Sequence, residues 1–432
     1  MSIASPKRRK LSGDDDDKGN DGDVFSSPQP GTHSQLDFDI DRTPTSQNSQ
    51  HASTVPFRLS RPPTALRAPS TASSSQVSQN SSRRGNSPSK RPQSLRALEK
   101  PIEYVALEDD AAAQLPADMQ SLYNRIYEIT VEHDRFLPQN AREDVQSILR
   151  RNIRDDWFMS ADAGEANADD VAQNEGEQHD ASAELQALKK IESAARDSMR
   201  LGRSEGAWNI EVHGPLLDLA LSRHRCVMKE YVTTSQIAPA FIPPTTGGGN
   251  LVTGKMVDFV LVLAPDDEHS SVADTKFANL IHRTVLAQPG GVQYINQTQY
   301  PPLQFRPISV SIETKASGSA EEGKLQLGVW SAAWHQRMRA LLNSGATKST
   351  DGERRIITLP LLLVVGHEWK IFFACDRGDH IDIVGDMSIG DTKNIIGLYT
   401  VMAVLAELAR WSTSVFGEWI TDVLTSIDLD SA

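Results

Sequence analysis

Cysteine is scarce in this 432-residue chain, which contains only Cys226 and Cys375. Two cysteines cannot form a disulfide framework, and by themselves they cannot supply the ligands of a structural zinc site. Long apolar runs are also missing, since the longest, at 357–365, falls well short of the roughly 20 residues that a transmembrane helix needs. The N-terminus is polar and has no apolar segment typical of a signal peptide. We therefore expect a soluble intracellular protein that does not insert into a membrane.

Positive charge is in deficit as well. The chain has 44 Lys and Arg against 57 Asp and Glu, which gives a formal net charge of −13. This balance argues against a surface that is basic throughout and binds nucleic acid everywhere, although local patches can still differ. The hydrophobic residues make up 38% of the chain and are unevenly spread, so we expect one large domain with appendages.

The first 100 residues lack sustained apolar periodicity and are rich in Ser, Pro, Gln, Asn and Arg. Such a composition cannot bury enough surface to offset chain entropy, so we predict a disordered region over 1–100. Within it lies a short basic cluster of the kind that nuclear import receptors bind, which predicts a nuclear protein, or otherwise a cytoplasmic one. The cluster consists of Lys7, Arg8, Arg9 and Lys10. Arginines between 58 and 100 either contact phosphates without sequence preference or belong to a solvated linker.

Two successive amphipathic patterns at helical spacing follow Pro116. They predict a helical extension over 116–160 that packs on the core. Residues 161–184 are rich in acids and contain no Lys or Arg, so we interpret them as an acidic linker. The main domain is predicted to span 185–426.

The order of elements in the main domain is helix, strands, helix, strands, helix. A long helical stretch leads to an apolar strand at 255–264, and after an unassigned insert a strand at 307–315 is followed by a helix at 321–342. A strand at 354–366, a hairpin and a final helix complete the domain. This order predicts an α/β fold with a mixed central sheet flanked by helices.

The strand at 307–315 ends in an acid and a base. Three apolar residues alternate with polar ones along it, and the period of two places Glu313 and Lys315 on the same face. Taken alone, such a pair can be an ion pair at a strand end. Its interpretation therefore depends on which charged side chains the rest of the fold brings to it.

Asp258 interrupts an otherwise apolar strand. A carboxylate there must be paired, metal-bound or protonated, because burying it alone costs several kcal/mol. On neighbouring strands, Asp258 and Glu313 would form a hard-oxygen site for Mg²⁺ or Mn²⁺, and Lys315 would supply an ammonium that can hold or deprotonate a water. Phosphodiester hydrolysis needs a cation that neutralises the scissile phosphate and an oriented water that attacks it.

Four motifs, EGAWN, MVDF, SIETK and LQLGVWSAAWH, occur in this order from residue 205 onwards. With them the chain resembles the PD-(D/E)xK nuclease superfamily, and in detail it is similar to fungal nuclease-like domain proteins. The resemblance implies a restriction-endonuclease-like core, with Asp258 and Glu313 as metal ligands and Lys315 as the water-activating residue. Two features depart from the family. Val257 stands where the name-giving proline is expected, and the spacing from Asp258 to Glu313 is long.

The superfamily also expects an acid from the first core helix, for which Glu205 and Glu211 are the candidates. Helical phase places Glu205 within the apolar face and Glu211 to its side, so we predict Glu205 as a third metal ligand. Pro215 could reset that phase, and Glu205 could be an ordinary carboxylate at a helix start. On the helix after the strand, the resemblance implies that Gln326 contributes to the site, although Gln326 could also be a satisfied core glutamine.

Two functions from different classes follow from these residues. The first is a Mg²⁺- or Mn²⁺-dependent nuclease that hydrolyses DNA or RNA through Asp258, Glu313 and Lys315. The second is a catalytically inactive nuclease-like module that binds nucleic acid or protein, which the negative net charge favours. The intact set of two acids and a lysine favours the first. The choice between DNA and RNA and the oligomeric state stay open.

Overall fold

The computed structural model describes most of the chain beyond residue 91. The described residues are 92–108, 110–150, 152–159, 170–247, 257–264, 272–318, 320–344 and 355–429. All of them belong to the second of the two units into which the chain divides, residues 81–432. The predicted import cluster at Lys7 to Lys10 and most of the predicted disordered region lie outside the described residues.

A mixed sheet forms the centre of the described part of the chain. Its strands are β1 Ile102–Ala106, β2 Val227–Tyr231, β3 Phe259–Leu263, β4 Ile308–Lys315, β5 Leu359–Val365, β6 Glu368–Asp376 and β7 Ile381–Asp391. They follow the order β1-β7-β6-β5-β4-β3-β2. β1 is parallel to β7 and β4 to β5, and the other neighbours are antiparallel. The predicted α/β fold with a mixed central sheet is confirmed.

Helices flank this sheet. They are α1 Ala111–Gln114, α2 Ala117–Tyr127, α3 Arg142–Leu149, α4 Asp170–Leu201, α5 Glu205–Trp208, α6 Gly214–Leu221, α7 Val272–Ala287, α8 Ala320–Ser344, α9 Ile395–Trp411 and α10 Gly417–Leu429. α8 packs against β4 and β5, and α9 packs against β7 and α6. Every residue of β4 before Lys315 is buried.

The ordered part begins earlier than the apolar periodicity predicts. A 3₁₀ helix, Pro92–Ala97, and strand β1 precede Pro116, although 92–100 fell within the predicted disordered region. Leu95 is fully buried against α8, where a Cβ on Gly328 would lie 2.4 Å from Leu95 Cδ1. This packing of one leucine into the space above a glycine is a tertiary contact that local composition does not reveal.

Two further elements differ from the sequence predictions. α4 begins at Asp170, inside the segment 161–184 that was predicted to be an acidic linker. Acidic residues are compatible with a helix when one stripe of it is apolar, and Leu185, Leu188 and Ile191 are buried. The insert that received no assignment contains α7.

The C-terminal helices are long and apolar. α9 and α10 are joined by a π-helical turn, Ser412–Phe416, and the stretch Ile395–Ile427 is long and apolar enough to cross a membrane. Within its most apolar part, 61% is buried inside the protein. Packing against the core therefore accounts for the apolar character of this stretch.

Candidate active site

Strands β3 and β4 bring Asp258 beside Glu313. The two strands are antiparallel with Phe259 opposite Ile312, and Asp258 directly precedes β3. The backbone N–H of Asp258 donates to the Ile312 carbonyl at 3.1 Å, which extends the ladder by one residue. The two acids are thus neighbours, as predicted, and among the described residues the strand begins at Phe259.

Lys315 joins two of the predicted acids. Its Nζ donates to Glu313 Oε1 at 2.5 Å and to Glu205 Oε2 at 3.2 Å. Glu313 and Lys315 share one face of β4, as the period of two predicts, and Glu205 reaches them from the start of α5. The structure therefore brings Glu205, Glu313 and Lys315 into direct contact and places Asp258 next to them.

Of the two candidate acids in this region, Glu205 lies beside Lys315 and Glu211 lies beside Arg203. Glu205 is the first residue of α5, which begins after Ser204, whose hydroxyl caps the helix by accepting from the Ala207 N–H. Glu211 is exposed and pairs with Arg203. Because the Lys315 ammonium lies between Glu205 and Glu313, the carboxylates of these two residues are joined through that cation.

A complete three-ligand cage is absent from the part of the chain that the structure describes. There, no group of three or more His, Cys, Asp or Glu side chains is arranged to hold a metal ion. The predicted ligand set of Asp258, Glu313 and Glu205 is gathered in one place, with Lys315 bound to two of its members. Which of these residues bind a metal stays a prediction.

Glu313 is held in an environment that disfavours its charge. Its side chain is 1% exposed, and burial, followed by the nearby Asp258 carboxylate, raises the pKa of Glu313 well above its usual value. Oε1 accepts from Lys315, whereas Oε2 is buried and has no hydrogen-bond partner among the described residues. An oxygen ligand of this kind, next to a second carboxylate, fits a divalent cation such as Mg²⁺ or Mn²⁺.

The other two charged groups also have shifted pKa values. Burial, the largest effect, would lower the pKa of Lys315, but the charges and hydrogen bonds of Glu313 and Glu205 outweigh it and raise the pKa above its usual value. Lys315 is therefore an ammonium at neutral pH. Burial raises the pKa of Glu205, with Lys315 opposing the increase.

Asp258 is held by residues that the sequence analysis missed. Its Oδ2 accepts from the Thr314 backbone N–H at 2.9 Å and from the Thr314 hydroxyl at 2.8 Å. That hydroxyl also lies 2.8 Å from Asn209 Oδ1. Asn209 opens a π-helical turn, Asn209–His213, which is followed by Pro215. The sequence signal for this turn is Pro215, which indicates a change of helical phase.

Gln326 lies on α8, the helix that approaches Glu313. α8 approaches β4 closely at Gly323, where a Cβ would lie 2.5 Å from Leu363 Cδ1 and 3.4 Å from Glu313 Cγ. Gln326 follows one turn later and is half-buried. Its contribution to the site stays a prediction.

Comparison with known proteins gives one match. Residues 149–417, more than half of the chain, match the family model of the PD-(D/E)XK nuclease superfamily. Neither the curated proteins nor the solved structures contain a match to the chain. The matched segment includes Glu205, Asp258, Glu313, Lys315 and Gln326.

Proposed function

This chain belongs to the PD-(D/E)XK nuclease superfamily, and we propose that it is a metal-dependent nuclease that hydrolyses phosphodiester bonds through Asp258, Glu313 and Lys315. Nucleases of this superfamily generally use divalent metal ions and act on nucleic acids. For this chain the proposed cofactor is Mg²⁺ or Mn²⁺, and the proposed substrate is DNA or RNA.

The observation that carries the proposal is the unpartnered Oε2 of Glu313. A buried carboxylate oxygen without a hydrogen bond lowers stability, because its lost hydration is not replaced. The adjacent Asp258 carboxylate adds to the cost by like-charge repulsion. A divalent cation would offset both effects, so Asp258 and Glu313 are the proposed ligands, with Glu205 as a third acid that acts through Lys315 or directly.

The cation and the protein would contribute different parts of the proposed hydrolysis. A bound divalent ion would neutralise charge on the scissile phosphate and favour attack by water. Lys315, as an ammonium held by Glu313 and Glu205, can donate hydrogen bonds to the attacking water or to the phosphate. Since the pKa of Lys315 is raised, we assign it the role of a charged donor that orients these groups.

The experiment is a cleavage assay over single- and double-stranded DNA and RNA with Mg²⁺ or Mn²⁺. We expect metal-dependent cleavage of at least one substrate that is lost in Glu313→Gln, an isosteric change that removes the charge. Glu205→Gln and Glu211→Gln form a matched pair, because both replace a partly exposed acid in the same helical region. Only Glu205→Gln should reduce cleavage, since Glu211 contacts Arg203 and not Lys315.

The same assay separates the enzyme from an inactive module. If the protein binds nucleic acid but cleaves none of the four substrates with either metal, the binding module is the better description.

For the cellular location, we propose nuclear import through Lys7, Arg8, Arg9 and Lys10. Replacing all four with Ala in a fluorescent fusion should leave the protein in the cytoplasm, and unchanged nuclear signal would contradict this.

A further inference from the structure

Three buried polar side chains, those of Asn209, Thr314 and Asp258, form a series of hydrogen-bond contacts. Asn209, Thr314 and Asp258 are 2%, 0% and 6% exposed. The Thr314 hydroxyl lies at equal distances, 2.8 Å, from Asp258 Oδ2 and from Asn209 Oδ1. None of these contacts is part of the cleavage chemistry assigned above.

The direction of each hydrogen bond among these three side chains follows from the number of protons that they carry. A hydroxyl has one proton, so Thr314 can donate to only one of its two oxygen neighbours. Asp258 is a carboxylate and accepts only, which makes it the stronger acceptor for that proton. Thr314 must then accept from Asn209. A half-turn of the Asn209 amide about its last side-chain bond brings the NH₂ group to Thr314, and Nδ2 is otherwise buried with no partner in the described structure.

The backbone conformation at Asn209 determines where its side chain lies. Asn209 begins a π-helical turn, and its carbonyl accepts from the Gly214 N–H at the end of that turn. A Cβ on Gly214 would lie 2.7 Å from the Asn209 carbonyl oxygen, so any larger residue would push the two apart. Pro215 has no N–H to continue an ordinary α-helical ladder, which favours the wider turn. Single π turns are frequent at functional sites.

We propose that Asn209 and Thr314 are positioning residues that fix the Asp258 carboxylate for cation binding. Both described hydrogen bonds to the Asp258 carboxylate engage Oδ2, so Oδ1 is the oxygen that remains for a cation. This inference rests on the proposed metal-dependent function, and it names two uncharged residues that the D…ExK pattern does not include.

The test measures Mn²⁺ affinity by titration calorimetry on the full-length protein, together with the thermal unfolding midpoint. Thr314→Val removes the hydroxyl at nearly constant shape, and Asn209→Leu removes the amide in the same way. We expect each to weaken Mn²⁺ affinity roughly tenfold or more, because partners of a ligating carboxylate orient it. The double variant should lose little beyond the larger single loss, since both act through one oxygen of Asp258.

Two controls separate positioning from packing. Thr314→Ser retains the hydroxyl and should retain affinity. Thr284→Val makes the same chemical change at a buried threonine on α7 whose hydroxyl has no partner in the described structure, and it should leave Mn²⁺ affinity unchanged. A purely structural role for Thr314 would lower the unfolding midpoint and leave affinity intact, which would overturn the inference.

The outcomes distinguish this inference from the proposed function. If the wild-type protein binds no Mn²⁺, the metal-dependent function fails and the inference fails with it. If the wild type binds Mn²⁺, Asp258→Ala abolishes binding, and Thr314→Val and Asn209→Leu bind as tightly as wild type, only the inference is overturned. Weakened binding in both variants, with Thr314→Ser and Thr284→Val unaffected, supports it.

Discussion

Two buried carboxylates in the same sheet have opposite environments. Asp376 ends β6, and its side chain is 2% exposed, close to the 1% of Glu313. Asp376 Oδ1 accepts from Lys100 at 2.5 Å and from the Gly378 N–H at 2.8 Å, and Oδ2 accepts from Arg339 at 3.0 Å. Both oxygens of Asp376 are therefore satisfied, whereas Oε2 of Glu313 has no partner in the described structure.

The pKa values follow these contacts. Burial would raise the pKa of Asp376, but the hydrogen bonds from Lys100 and Gly378 outweigh it, and the pKa is lowered. Burial and Asp258 raise the pKa of Glu313, and Lys315 compensates only in part. The charge of Asp376 is compensated by its surroundings, whereas the charge of Glu313 is compensated only in part. A carboxylate with an incompletely compensated charge is typical of functional sites.

The largest expected effect distinguishes the two carboxylates by activity. Asp258→Ala and Glu313→Ala should each reduce cleavage by roughly 10³ or more, because the charge stabilisation that a metal supplies is worth several kcal/mol. Asp376→Asn should leave cleavage per folded molecule within about threefold of wild type. The rates are measured under single-turnover conditions with saturating Mn²⁺. Equal losses at Glu313 and Asp376 would remove the distinction.

The second effect distinguishes them by stability. Asp376→Ala should lower the free energy of unfolding by about 3 kcal/mol, because it leaves Lys100 and Arg339 without their shared carboxylate. Glu313→Gln should cost little, since Lys315 retains Glu205 and an amide oxygen. Denaturant unfolding in the presence of EDTA measures both values without a contribution from bound metal. A larger loss in Glu313→Gln than in Asp376→Ala would show that Glu313 serves the fold.

The third effect concerns the lysine between the acids. Lys315→Ala should leave Mn²⁺ affinity nearly unchanged and reduce cleavage by roughly 10², because it removes a donor that acts mainly in the transition state. Lys315→Arg should not restore the rate, since a planar guanidinium does not replace a compact ammonium between Glu313 and Glu205. If Lys315→Ala cleaves at the wild-type rate, the pair is only an ion pair at a strand end.

The smallest effect is a pH dependence of stability with opposite signs. The folded-state pKa of Glu313 is raised, so its contribution to stability is present below the usual pKa of a glutamate and is lost as pH rises through the folded value. Glu313→Gln should therefore gain stability relative to wild type from acid to neutral pH, by about 2 °C or more in the unfolding midpoint.

Asp376 has a lowered pKa, so its contribution is present above the usual pKa and is lost as pH falls through the folded value. The deficit of Asp376→Asn should therefore shrink in acid. Thermal unfolding from pH 4 to pH 8 in EDTA checks both signs. Parallel curves for the two variants would contradict the assignment.

The charged core of the site was predictable from the sequence. Asp258 stands alone among apolar residues in the sequence, and the period of two along β4 places Glu313 with Lys315 on one face. Both signals depend on local pattern alone, and the fold brings the two strands together as neighbours. Glu205 was predicted from helical phase, and the structure places it beside Lys315, while its role as a metal ligand stays a prediction.

The supporting residues could not be predicted in the same way. Thr314 resembles any β-branched strand residue, and its role depends on the register that places Asp258 beside it. Asn209 opens the π turn that precedes Pro215, and its side chain lies beside the Thr314 hydroxyl. Asp376 and Lys100 are 276 positions apart, so their pairing is a product of the tertiary fold.

The most direct test of the central claim is Mn²⁺ binding by calorimetry, at neutral pH, in wild type, Glu313→Gln and Asp376→Asn. The claim is that the unmet charge demand at Glu313 marks a cation site, and that the equally buried Asp376 is structural. We predict that wild type and Asp376→Asn bind Mn²⁺ with similar affinity and that Glu313→Gln loses at least roughly tenfold. No binding by wild type, or equal binding by all three proteins, would contradict the claim.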